Sequence, residues 1–211
     1  MRHTPHYLPE DREDVRRLVR ENPWATIVSA VPETGIVASH YPFLLDEEAS
    51  TGEEIVLLSH VGRPDETLHR LGTSEVLVIV QGPHGYVSPS WYEPGDIVPT
   101  WNHVTAHLYG VPEILDDEEN MRVLTELTDH FEQHVDEPRG LHLDEEYSRR
   151  VARGTVGIRL RVTRMDARRK LSQNKTPETV DRIIGHLEGD GPYAHPALAR
   201  EMRRVHDPRH S

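Results

Sequence analysis

Not one of the 211 residues is a cysteine. That excludes disulfides, thiolate catalysis, iron–sulfur clusters and thiolate ligation of haem. Any metal or haem iron here must take His, Tyr, Met or carboxylate ligands. Long apolar runs are also missing; nothing approaches the ~20 residues of a membrane-spanning helix. The polar N-terminus does not read as a signal peptide. The expectation is a soluble, cytoplasmic protein with no membrane partner. Positive charge is in short supply: 24 Lys and Arg face 36 Asp and Glu, a net charge of −12. That balance disfavours direct nucleic-acid binding, and no helix-turn-helix or basic recognition helix stands out. Histidine is plentiful, with fifteen residues, so metal or haem ligation needs testing.

The chain length favours one domain over residues 1–211 with helical additions. Residues 9–21 carry acids first and arginines later, around Val15, Leu18 and Val19, and read as a helix ended by Pro23. Residues 24–31 and 36–45 read as a hairpin about the turn Pro32-Glu33-Thr34-Gly35. Further strands are expected at 55–60, 76–80 and 103–110, the last extended to 115, with a short helix at 64–71 between the first two. Met121, Leu124, Thr128, Phe131 and Val135 recur at helical spacing, predicting a helix over 117–135. A shorter helix follows at 144–153 and a strand at 157–165. Thr176-Pro177 opens a helix to about 187, and a terminal helix spans 196–205. Core strands over about 24–115 and 155–173, with helices over about 117–153 and 176–206, argue a mainly β protein: a small barrel with peripheral α helices.

The chain is organised around Gly82-Pro83-His84-Gly85-Tyr86-Val87-Ser88-Pro89-Ser90-Trp91-Tyr92 and the following Val98-Pro99-Thr100-Trp101-Asn102-His103. Two of three tryptophans fall here. Aromatic surface is most effective when buried or stacked on a flat ligand, and the prolines forbid a long helix. The segment reads as a rigid loop between strands, either lining a pocket or plugging a β core. Ser39-His40 and Ser59-His60 each end a strand with a hydroxyl beside an imidazole, within reach of a ligand. Arg159, Arg161, Arg164, Arg168, Arg169 and Lys170 form the main basic cluster. Arg159 and Arg161 suit an edge strand. Lys170, opening the run Lys170-Leu171-Ser172-Gln173-Asn174, suits a phosphate, a haem propionate or a carboxylate. His130 and His134 sit one turn apart, but Glu132 falls at the wrong offset for a metalloprotease helix, so they read as a solvated face.

Tyr86 to Tyr92, Val98 to Asn102, Pro42-Phe43-Leu44-Leu45 and Lys170 to Asn174 together resemble the PaiB-like, FMN-binding split-barrel family. The matches run in order across most of the chain. The resemblance implies a six-stranded split barrel, a homodimer and a cofactor pocket. It carries over Asn102, Ser172 and Gln173 as cofactor-binding residues. Relatives include FMN-binding negative transcriptional regulators and haem-dependent piperazate synthases, which close N5-hydroxyornithine through an N–N bond. This sequence departs from the family pattern twice: His103 replaces the usual tyrosine after Trp-Asn, and Val61-Gly62-Arg63-Pro64 replaces an Ala-Arg-Ala-Asn-Pro run.

The first expectation is a haem b enzyme of the piperazate synthase type acting on a small amino-acid substrate. His60 is the axial ligand, with His103 the alternative. Trp91, Tyr92 and Trp101 wall the macrocycle. Tyr92, His84 or His40 serves as general acid. Arg63 or Lys170 holds the substrate carboxylate. The alternative is an FMN-binding regulator or a flavin-dependent oxidoreductase. In it the phosphate sits on Arg63, Ser59 or Lys170, and the ring lies against Trp91 or Trp101.

Overall fold

The computed structural model describes residues 7–8, 11–93, 95 and 97–207. The chain runs α1 (Arg12–Glu21), β1 (Trp24–Val31), β2 (Gly35–Pro42), β3 (Leu44–Leu45), β4 (Val56–Gly62), α2 (Arg63–His69) and β5 (Val76–Val87). It continues with β6 (Thr100–Gly110), β7 (Glu113–Ile114), α3 (Asp117–Glu132), α4 (Glu145–Ala152), β8 (Thr155–Arg161), β9 (Arg164–Lys170), α5 (Pro177–Glu188) and α6 (Pro196–His206). One sheet has the order β2-β1-β5-β6-β9, the other β3-β4-β8-β7. Every strand pairing described is antiparallel. Among the described residues no helix is long and apolar enough to cross a membrane.

The chain divides into two compact units. The larger comprises Arg12–Val80 and His107–Asp166, the smaller Met1–Asp11, Gln81–Ala106 and Ala167–Ser211.

In the larger unit, α1 buries Val15, Leu18 and Val19, and its charges run acid to base along the axis as a macrodipole prefers. The expected helix started at residue 9; residues 9 and 10 lie outside the described residues. β1 and β2 form the expected hairpin, Trp24 opposite Pro42 and Val31 opposite Gly35. Gly35 takes φ +92°, a left-handed value suited to glycine. β4 is apolar on both faces because the unit covers both: Leu58 packs with Leu115, Val123 and Leu127. Truncating one such leucine to alanine costs about 2–5 kcal/mol. Asp116 caps α3 by accepting from the Glu118 and Glu119 N–H groups at 3.1 and 2.9 Å. α3 ends at Glu132, so His134 lies beyond it, and His130 and His134 do not share a helix face.

The smaller unit is built on the α5–α6 hairpin. Ile183, Ile184 and Leu187 of α5 and Leu198, Ala199 and Met202 of α6 are buried. Thr176 caps α5 with Pro177 at its first position. The His195 Nδ1 caps α6 by accepting from the Leu198 N–H at 3.2 Å, which leaves its proton on Nε2.

Several strands differ from the sequence expectation. The expected strand at 36–45 is β2 and β3, in different sheets and broken at Phe43, and the expected extension of the 103–110 strand to 115 is the separate β7 of the other sheet. β5 runs on through Pro83 to Val87, and β6 begins at Thr100, so much of the expected aromatic loop is strand. A strand accepts proline where its ladder asks for no N–H. The expected strand at 157–165 is two strands in different sheets, broken at Val162-Thr163.

Candidate cofactor site

The first half of the candidate site lies in the smaller unit. Along β6, Trp101 is exposed, Asn102 fully buried, His103 half-buried and Val104 buried, the two-residue alternation of a strand with one covered face. Asn102 reaches the loop after β9. Its Nδ2 donates to Ser172 Oγ at 2.9 Å, and Ser172 Oγ donates back to Asn102 Oδ1 at 3.2 Å. Both are buried, so neither group finds water as a substitute. Ser172 sits at φ +65°, a conformation non-glycine residues hold only where their surroundings impose it. Gln173 locks the same loop: its Oε1 accepts from the Leu171 N–H at 2.7 Å and its Nε2 donates to the Arg169 carbonyl. The His206 Nε2 donates to the Leu171 carbonyl at 3.0 Å.

This loop closes a cavity of about 230 Å³. Lys170 and Lys175 line it with Tyr92, Thr100, Asn102 and Ser172. Its described lining includes no carboxylate. The Lys170 ammonium donates to Thr100 Oγ1 and, at 2.9 Å, to the Trp101 carbonyl. Burial, and then the Arg168 and Lys175 charges, hold its pKa below the ordinary lysine value. Lys175 lies over the Tyr92 ring at 4.4 Å. A half-buried cation beside other cations is the electrostatic signature of an anion site. Nearby, His103 Nδ1 is 3.2 Å from Thr105 Oγ1. Burial, followed by Arg168, Lys170 and His84, keeps His103 below the usual histidine pKa, so it is neutral near pH 7.

The smaller unit also carries a chain of rings. Trp101 meets Tyr86 edge-on at 6.2 Å, Tyr86 packs on Tyr193 at 5.1 Å, and Trp91 stacks on His186 at 4.8 Å. Arg182 fixes the turn that presents Trp91 by donating to its carbonyl and pairing with Glu93. His84 is exposed, with Nδ1 3.1 Å from the Gly82 carbonyl. The sequence reading missed Lys175, Tyr193 and His186. Lys175 was discoverable as the second cation, five residues past Lys170; the other two lie on a helix and a turn with no local signal.

The remaining candidates lie in the larger unit. Ser59 is fully buried and donates to the Pro42 carbonyl at 2.6 Å, so its hydroxyl supports the strands. Arg63 donates to the Arg153 carbonyl at 2.8 Å and approaches Glu66 and Asp117, which occupies its guanidinium structurally. His40 is exposed on β2. His60 differs from these. Its Nδ1 is buried with no hydrogen-bond partner among the described residues. Burial lowers its pKa, and the Tyr41 ring stands edge-on at 6.2 Å. Tyr41 in turn donates to Asp65 at 2.5 Å and accepts from the Gly62 N–H. Close by, His69 is buried between two hydroxyls, Ser29 at 2.8 Å and Ser39 at 2.9 Å. Among the described residues no group of three or more His, Asp or Glu is placed to hold a metal ion.

Residues 1–164 match the family described as "Putative FMN-binding domain". The chain belongs to that family. The relative "Protease synthase and sporulation protein PAI 2" of Bacillus subtilis (strain 168) is 30% identical over 193 residues, 87% of this chain and 90% of the relative. The PaiB-like resemblance of the motifs therefore holds at the level of family. Solved structures agree on the fold. The FAD and haem binding protein from Mycobacterium smegmatis superposes with TM-score 0.59 at 19% identity, covering 88% of this chain and 80% of its own. The flavocytochrome Anf3 from Azotobacter vinelandii gives TM-score 0.55 at 12% identity, covering 82% and 74%. This family member is thus mainly β, split-barrel-like, with peripheral helices.

Proposed function

We propose that the protein binds FMN as its working cofactor, with the phosphate end in the Lys170–Lys175 cavity. One observation carries this: a strongly acidic chain gathers two lysines around a cavity whose described lining has no carboxylate. The cavity is smaller than the about 300–1,000 Å³ of sites that enclose a whole drug-sized ligand, so it suits one end of FMN. Bound FMN supplies reversible hydride or electron acceptance. The chain's part is to hold and orient it. Lys170 and Lys175 meet the phosphate dianion, whose charge offsets the cost that burial places on the Lys170 proton. The Asn102–Ser172 pair holds the loop so that little ordering remains at the moment of binding. The family match and the flavin-binding proteins of like fold support the same cofactor. Titrating the apoprotein with FMN and with riboflavin tests this. Charge-assisted hydrogen bonds of about 1.5–3 kcal/mol predict FMN binding about 10- to 100-fold tighter. Equal affinity for the two would sink the phosphate assignment.

A second reading rests on His60. A neutral imidazole with a buried, unpartnered ring nitrogen suits axial ligation of haem b. Haem would supply a Lewis acid there. The substrate class carried by this reading is an N-hydroxylated diamino acid such as N5-hydroxyornithine. Its free amine attacks the hydroxylated nitrogen to form the N–N bond, the N–O bond breaks with its electron pair going to oxygen, and the departing hydroxide takes the amine proton to leave as water. No oxidant is consumed. Protein purified after expression with a haem precursor should then show a Soret band that His60→Ala abolishes and His103→Ala preserves. A band surviving both substitutions removes His60 and His103 as ligands.

A further inference from the structure

A second cavity of the smaller unit shares no lining residue with the Lys170–Lys175 cavity, and its wall includes Trp91, one of the two expected supports of a flavin ring. It measures about 330 Å³, within the range of small-molecule sites. Its side-chain wall is Ser88, Trp91, His186, Asp190, Pro192 and Tyr193, and three glycines leave backbone elsewhere. No lysine or arginine is among the described lining. One face of Trp91 is covered by His186, stacked at 12°. Tyr193 stands at 64° to Trp91, with centroids 6.5 Å apart. Two rings at a steep angle make a wedge. A flat neutral ring can lie along one wall only, whereas a compact cation is attracted by both π systems at once. The Asp190 carboxylate lines the same cavity and makes no hydrogen bond or ion pair among the described residues. An anion would meet that carboxylate with no described cation in the lining to offset it.

We propose that this wedge binds a small organic ammonium ion, seated against Trp91 and Tyr193 and balanced by Asp190. The turn Gly189 to His195 positions it. That turn is closed by the His195 N–H donating to the Leu187 carbonyl at 2.7 Å and by the Ala194 N–H donating to the Gly191 carbonyl at 3.0 Å. The Trp91 carbonyl is held by Arg182 Nε at 3.2 Å.

The test uses the full chain and a matched pair of probes: choline, and 3,3-dimethyl-1-butanol, which has the same shape without the charge. Calorimetry gives affinities, and the Trp91 indole N–H signal in a ¹⁵N spectrum, assigned by its loss in Trp91→Phe, reports the site. Choline should bind saturably, shift that signal, and bind at least about tenfold more tightly than the alcohol. Asp190→Asn, a change on an exposed turn, should weaken choline about three- to tenfold. FMN affinity should be the same in Asp190→Asn and the natural protein, which separates this site from the flavin reading. Equal binding of choline and its neutral counterpart overturns the proposal. So does the absence of saturable choline binding.

Discussion

The two cavities of the smaller unit are neighbours in sequence and opposites in charge. Tyr92 lines one, with Lys170 and Lys175 and no described acid. Trp91, the preceding residue, lines the other, with Asp190 and no described lysine or arginine. A net charge of −12 says nothing about either. It is an average over a surface. Binding is decided by the few charges that share a small volume, where screening by water is weakest. Each cavity is also rigid for a different reason. The cationic one depends on buried hydrogen bonds around Ser172, the aromatic one on ring packing against α5.

The largest expected effect that sharpens this contrast is Lys170→Ala. It should lower FMN affinity about 10- to 100-fold and leave riboflavin and choline unchanged, as read by flavin fluorescence and calorimetry. A parallel loss of choline binding would mean that the two cavities do not act separately. Next is Asn102→Ala. It strands the Ser172 hydroxyl in a buried place and removes a reciprocal bond, at about 1–3 kcal/mol. A chain of this length should then lose roughly 2–4 °C of Tm per kcal/mol, measured by thermal unfolding. An unchanged Tm would show that the pair is dispensable.

The pH profile is gentler. The folded pKa of Lys170 lies below the ordinary value of 10.5, so free protein loses that proton early as pH rises. FMN needs the proton present. FMN affinity should therefore fall as pH rises toward 10.5, and the fall should vanish in Lys170→Arg. At the acid end His60 and His103 have folded pKa values below the ordinary 6.5. The unfolded chain binds their protons first. Their contribution to stability is complete above pH 6.5 and is lost as pH falls through their folded values, visible as a declining Tm. Replacing both by glutamine should lessen that decline, with His69 and His107, whose pKa values burial also lowers, keeping their share. The smallest effect is the cross-check: Asp190→Asn should leave FMN affinity within about twofold, since exposed charges act weakly at a distance.

Much of this was legible in the sequence. The β1–β2 hairpin, the existence of α3 and the two C-terminal helices follow from turn residues, caps and periodicity, but the expected α3 stripe from Met121 to Val135 is not its buried face: Asn120, Val123 and Leu127 are buried, while Phe131 and Val135 are exposed. Lys170 could be singled out as a cation opening a polar run, whereas Asn102, Ser172 and Gln173 came with the family resemblance of their motifs. What was not legible depends on pairing. Pro83 reads as a breaker until the strand that carries it is seen. β9 has almost no apolar residues, because its arginines pack through their flat faces: Arg164 lies 3.4 Å over the Tyr109 ring and pairs with Glu75. Arg63 and Ser59 looked like ligand groups because isolated residues reveal a functional group and not its partner. The structure gives those partners as the Arg153 and Pro42 carbonyls. Tyr193 and His186 gain meaning only when the α5–α6 hairpin brings them to Trp91.

The turn from Ser88 to Tyr92 is capped by its own serine, whose Oγ accepts from the Ser90 N–H, and its Trp91 carbonyl is pinned by Arg182. Five residues thus work as a small lever with one ring on each arm. An occupant that tugs Trp91 strains the peptide plane shared with Tyr92. The reverse holds for an occupant that presses on Tyr92. Whatever free energy passes along that single bond is equal in the two directions, as any linkage between two sites must be.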